Sequence, residues 1–100
     1  MKTHDNIPKL DLLQTGESLK IFKVTGSKGM KMPEHISTEE AVVIVQKGSA
    51  LLNMEGKEYL LKTNDTFLIP AAKKHELSII EDFQTKVVMG IDSEIQFTNK

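Results

Sequence analysis

From Leu19 onward, short apolar or alternating runs are separated by glycine, proline and small polar residues at a nearly regular interval. "SLKIFKVTG" alternates weakly and stops at Gly26. "GMKMPEHIS" holds Pro33, whose fixed φ and missing N–H argue for extended chain over helix. "AVVIV", Ala41 to Val45, is β-branched and closed by "QKGS", and predicts a strand covered on both faces. "ALLNM" and "KEYLLK" flank Glu55-Gly56, which predicts a hairpin with a positive φ at the glycine. A "TND" turn, with Asp65 tying the backbone, leads to "TFLIP" and then a loop, "AAKK". "HELSII" alternates cleanly, "ED" predicts a turn, and "FQTKVVMGI" and "EIQF" close the chain.

The pattern amounts to roughly eight or nine strands of about 5–6 residues, with a turn about every 8–12 residues. That spacing favours an all-β sandwich or barrel over any α/β arrangement. "STEEAVVIV" has a Ser-x-x-Glu capping pattern, but the β-branched run Val42 to Val45 makes a poor helix. Residues 1–16 are more polar, with Pro8 and a short "LDLL" patch. They read as an N-terminal arm or first strand ahead of a barrel over residues 17–100. His4, near the terminus, is expected to be solvated.

Composition narrows the function more than the fold. One hundred residues with 39% apolar and 27% charged content make one small globular domain. A net charge of −1 gives no electrostatic case for nucleic acid or an anionic membrane surface. No apolar stretch approaches the ~20 residues that span a bilayer. The start, "MKTHDNIPKLDLL", lacks the apolar core of a secretory signal, so a cytoplasmic location is expected. The absence of cysteine excludes disulfides, thiolate metal sites and cysteine nucleophiles. No serine sits in a Gly-x-Ser-x-Gly elbow. "GSKG", Gly26 to Gly29, is too short for a phosphate loop and reads as a turn.

Between Gly29 and His75 the chain resembles the two-motif core of the cupin superfamily. Gly29, His35 and Gly48 fall where the first motif has its opening glycine, first histidine and closing glycine. Pro70 and His75 fall where the second motif has its proline and histidine, with Asn64-Asp65 at the intervening turn. The resemblance covers about half of the chain and implies a double-stranded β-helix, or jelly-roll, barrel. It also implies four metal-ligand positions, which hold His35, Ser37, Ala41 and His75 here. Ala41 can donate nothing, and Ser37 is a neutral hydroxyl, a poor partner for a transition metal. Asn64, Ala72 and Ile79 stand where the second motif has two glycines and an asparagine.

Two imidazoles make a partial site, since catalytic metals generally have three protein ligands and an open position. Strand parity turns Glu40 away from the pocket, while Glu39 keeps the inward parity of Ala41 about 7 Å back along the chain. No cofactor is expected; any divalent metal at His35 and His75 would be weakly held or acquired from buffer. His75, Leu77 and Ile79 share one face by alternation. The pocket is expected to be lined by His35, Ser37, Ala41, His75, Leu77, Met30 and Met32. Met54 and Met89 read as core, Tyr59 as outer face, and Lys73 and Lys74 as a solvated loop.

If Ala41 faces inward, Val42 and Ile44 face outward, and that apolar outer face implies a homodimer. Three functions follow in order. The first is a barrel that binds a small molecule of unspecified class, with a degenerate metal site and no defined catalytic activity. The second is a metal-dependent isomerase or oxygenase using His35 and His75 with Glu39, Glu40 or water. The third is an interaction domain whose barrel is filled by Met30, Phe67 and Met89.

Overall fold

The computed structural model describes residues 7–98, so Met1 and His4 lie outside the described residues. Eight strands follow in order. They are β1 (Lys9–Thr15), β2 (Leu19–Gly26), β3 (Lys31–Ser37), β4 (Ala41–Met54), β5 (Lys57–Lys62), β6 (Thr66–Ile69), β7 (His75–Gly90) and β8 (Ile95–Phe97). Among the described residues no helix is long and apolar enough to cross a membrane.

Two long strands, β4 and β7, pair antiparallel along their whole lengths and form the spine of the molecule. The first half of β4 pairs with β6, and its second half with β5. The second half of β7 pairs with β2, which in turn pairs with β1. The first half of β7 pairs with β3, which pairs with β8. Each long strand therefore serves two layers, β1-β2-β7-β4-β6 and β8-β3-β7-β4-β5. This is the curled antiparallel sheet of a jelly-roll barrel.

The sequence breaks expected at "QKGS" and "ED" are bends inside strands rather than turns between them. The β4–β7 register slips between Val45 and Lys47, between Lys47 and Ser49, and between Ser49 and Ala50. Such bulges bend a strand without ending its pairing. Gly48 sits at the bend with φ +81°, and a Cβ there would overlap the Asp82 carbonyl oxygen. Only glycine lets the two backbones close the corner this tightly. The Asp82 carboxylate also accepts the Lys28 N–H at 2.9 Å, which ties the "GSKG" turn to the same corner.

Several expected turns are present. Glu55 and Gly56 have φ +53° and +78°, giving the β4–β5 hairpin the two left-handed residues that match strand twist. Asp65 accepts the Lys62 N–H at 2.8 Å beside Asn64, whose φ is +76°.

Burial alternates along β4: Ala41, Val43 and Val45 are buried, and Val42 and Ile44 are exposed. Within one chain this strand is covered on one face only, unlike the two-faced burial expected from its β-branched run. Val45, Ala50, Leu52, Phe83, Ile79 and Met89 form the core with Leu61 and Ile69. Tyr59 packs against this core, its ring 5.0 Å from that of Phe67, rather than standing on the outer face. Its parity explains the placement, since Tyr59 shares the inward side of β5 with buried Leu61.

Candidate functional site

The barrel interior keeps a cavity of about 80 Å³. His35 and His75 are register partners across β3 and β7, so the ladder itself brings the two rings together. Their centroids are 4.2 Å apart with planes inclined at 62°. Both rings are buried, at 8% and 4% exposure.

Each ring is fixed in the same way. His35 Nδ1 donates to the Pro33 carbonyl at 2.6 Å, and His75 Nδ1 donates to the Lys73 carbonyl at 2.8 Å. A carbonyl can only accept, so Nδ1 carries the proton and each Nε2 is left with a lone pair. Burial pushes His35 down to about 4, with the Pro33 carbonyl opposing and the neighbouring His75 adding to the fall. Burial lowers His75 as well, against the Lys73 carbonyl. Both rings are therefore neutral near pH 7.

Ser37 lies two residues beyond His35 on β3, on the same inward face. Its backbone carbonyl accepts the Ala72 N–H at 2.8 Å, but its hydroxyl is buried with no hydrogen-bond partner. Buried polar groups are nearly always paired, so an orphan hydroxyl on a cavity wall needs an explanation.

Ala41, Leu77 and Met32 complete the expected wall. Met30 does not line the cavity. It lies in the turn before β3, where its sulfur accepts the Ser27 N–H at 3.3 Å. Glu39 and Glu40 are exposed and absent from the wall. Residues 38–40 form a bend rather than extended strand, so strand parity does not apply to them. The Glu39 carboxylate runs instead to the face of Gly90 on β7.

Sequence reasoning missed the mouth of the cavity. Leu10 on β1 and Phe97 on β8 line it while remaining 39% and 51% exposed. The Phe97 ring sits 5.5 Å from that of His35. The signal was the "IQF" alternation, which puts Ile95 and Phe97 on one face, but the β3–β8 pairing that aims that face inward is long-range.

A family model described as the cupin domain matches residues 22–91. The chain belongs to the cupin family. No curated protein matches its sequence. Solved structures of similar shape include a cupin superfamily protein from Desulfitobacterium hafniense, with TM-score 0.78 and 18% identity over 87% of this chain and 80% of that one. The DMSP lyase DddQ from Ruegeria pomeroyi aligns with TM-score 0.83 and 20% identity over 92% of this chain, which spans 52% of the lyase. KdgF from Halomonas sp. aligns with TM-score 0.76 and 18% identity over 83% of this chain and 77% of that one. At these identities the likeness establishes the cupin fold, with enzymes among its bearers, and not a shared chemistry.

The donor set of this cupin does not fit a resident metal. Among the described residues no group of three or more His, Cys, Asp or Glu could hold an ion. The wall offers two imidazole lone pairs and the neutral hydroxyls of Ser37 and Thr85, and no carboxylate. That falls short of the three protein ligands of a catalytic zinc site.

Proposed function

We propose that this cupin domain binds a small molecule in the barrel interior and carries no metal-dependent chemistry. The observation that supports the reading best is Ser37 Oγ, buried without a partner on the wall of the cavity. Burying an unpaired hydroxyl costs about 1–3 kcal/mol, which a guest bonded to it would offset. The cavity counts against a barrel filled by its own side chains. The test is a crystal structure of protein purified without added metal. Density for an organic guest touching Ser37 and the two imidazoles supports the reading; an ion between the rings at bonding distance overturns it.

A metal-dependent enzyme is the second reading, favoured by one feature. Each imidazole is held through Nδ1 to a carbonyl, the outer support usual for metal-bound histidine. With only two such ligands, an ion would need most of its coordination from water or substrate.

We also infer that the domain pairs with a second copy through the outer face of the β6-β4-β7-β2 layer. Leu68, Val42, Val88 and Ile21 follow one another in register across these four strands. Leu68 and Val42 are 54% and 37% exposed, with Ile44 at 38% beside them. Leu68→Asp is expected to turn a dimer into a monomer in sedimentation velocity; a wild-type monomer would refute the inference.

A further inference from the structure

We propose, building on the guest pocket above, that the cavity selects small uncharged molecules bearing one O–H or N–H donor beside an acceptor, such as a short-chain alcohol. The wall dictates this through the polar atoms it leaves free. Four polar side chains line the cavity: His35, Ser37, His75 and Thr85. The Thr85 hydroxyl is used, donating to the Ile44 carbonyl at 2.8 Å. Both Nδ1–H groups are used on the carbonyls of Pro33 and Lys73. Two Nε2 lone pairs and the Ser37 hydroxyl remain.

These three atoms form an asymmetric set. The two imidazole nitrogens only accept, so the guest must bring a hydrogen to meet them. Ser37 is the one free donor, so the guest's heteroatom can accept from it in return. An alcohol satisfies both demands with a single oxygen: its hydrogen goes to Nε2 and its lone pair takes the Ser37 hydrogen. An ether of the same composition meets only the second.

Charge is selected against as firmly. No Lys, Arg, Asp or Glu lines the cavity, and the rest of its wall is apolar. A carboxylate would lose its hydration, face two lone pairs and find one hydroxyl in return. An alkylammonium could donate to both rings, but would bring an unpaired charge among Val43, Leu52, Phe83 and Met89. Size is set by the volume, about 80 Å³. A cavity near 150 Å³ holds benzene, so this one encloses roughly three heavy atoms. The rest of a longer guest leaves through the apolar mouth at Leu10 and Phe97, which suits an alkyl tail.

The test is a heteronuclear NMR titration of the whole chain with four matched probes: n-butanol, its isomer methyl propyl ether, butyrate and n-butylammonium. Butanol is expected to shift Ser37, His35 and His75 saturably and to bind at least about fivefold tighter than the ether. Butyrate and butylammonium should bind weaker still. Ser37→Ala should weaken butanol and the ether alike, by about three- to tenfold, and leave the gap between them, which the imidazole Nε2 atoms set. Removing an orphan hydroxyl leaves the fold intact, so the change reads binding alone. Equal or tighter binding of the ether or of either ion, or an unchanged butanol affinity in Ser37→Ala, overturns the selectivity and leaves the pocket standing. If no probe shifts the wall residues, the pocket reading falls as well.

Discussion

Two of the hydroxyls buried in this barrel, Thr85 and Ser37, lead opposite lives. Thr85, at the packed end of the same cavity beside Phe83, is 2% exposed and donates to the Ile44 carbonyl. Ser37, in the half that holds the two histidines, is 3% exposed and bonds to nothing. The packed half spends its polar groups on its own backbone, and the backbone corner at Gly48 locks it. The histidine half keeps three polar atoms free around a void. On the reading proposed above, the difference separates scaffold from site: one region is complete as folded, and a guest would complete the other.

The sharpest break of the packed half is Gly48→Ala. The new Cβ would overlap the Asp82 carbonyl at a left-handed φ, so a loss of at least about 3 kcal/mol or failure to fold is expected in urea unfolding. A loss under about 1 kcal/mol would mean that the corner can open.

Acid breaks the histidine half instead. His35 titrates at about 4 when folded and near 6.5 when unfolded, so in this window the unfolded chain binds the extra proton. Stability is therefore full above about pH 6.5 and falls as pH drops toward 4, by on the order of 3 kcal/mol for this group. His75 adds in the same direction. Unfolding curves for wild type and His35→Gln should converge as pH falls across this range; parallel curves would contradict the burial account.

The two hydroxyls can be compared directly. Thr85→Val keeps the shape and removes the bond to Ile44, at an expected cost of about 1–2 kcal/mol. Ser37→Ala should cost nothing and could add up to about 1 kcal/mol of stability. Equal losses at both positions would show that Ser37 has a structural partner after all. The smallest effect lies at the loop before β7. Ala72 adopts φ +61°, a conformation that glycine enters freely, so Ala72→Gly should stabilise by about 0.5–1 kcal/mol in thermal unfolding.

Much of this architecture was legible in the residues. Glu55-Gly56 announced its hairpin, and the alternation from Ala41 to Val45 set Val42 and Ile44 outward. The spacing of His35 and His75 carried the fold, because their rings meet through ladder pairing. The bends at Gly48 and at Glu81-Asp82 were read as strand ends, because glycine and acidic pairs signal a turn and a bulge alike. Glu39 was weighed by strand parity, which fails once residues 38–40 leave the strand. Met30 was placed on the wall from its neighbourhood, though the turn at Ser27 takes its sulfur. Phe97 and Leu10 at the mouth depend on pairings between distant segments, which no local pattern encodes. The open hydroxyl of Ser37 is a property of packing; the sequence shows only a serine where the family resemblance implies a metal-ligand position.

The most direct measurement is the metal content of the purified domain after it is loaded with zinc and then dialysed. Two imidazoles with no carboxylate predict that no stoichiometric zinc is retained, in wild type or in His35→Ala. One zinc per chain that survives dialysis in wild type and disappears in His35→Ala would contradict the account and return the cavity to metal chemistry.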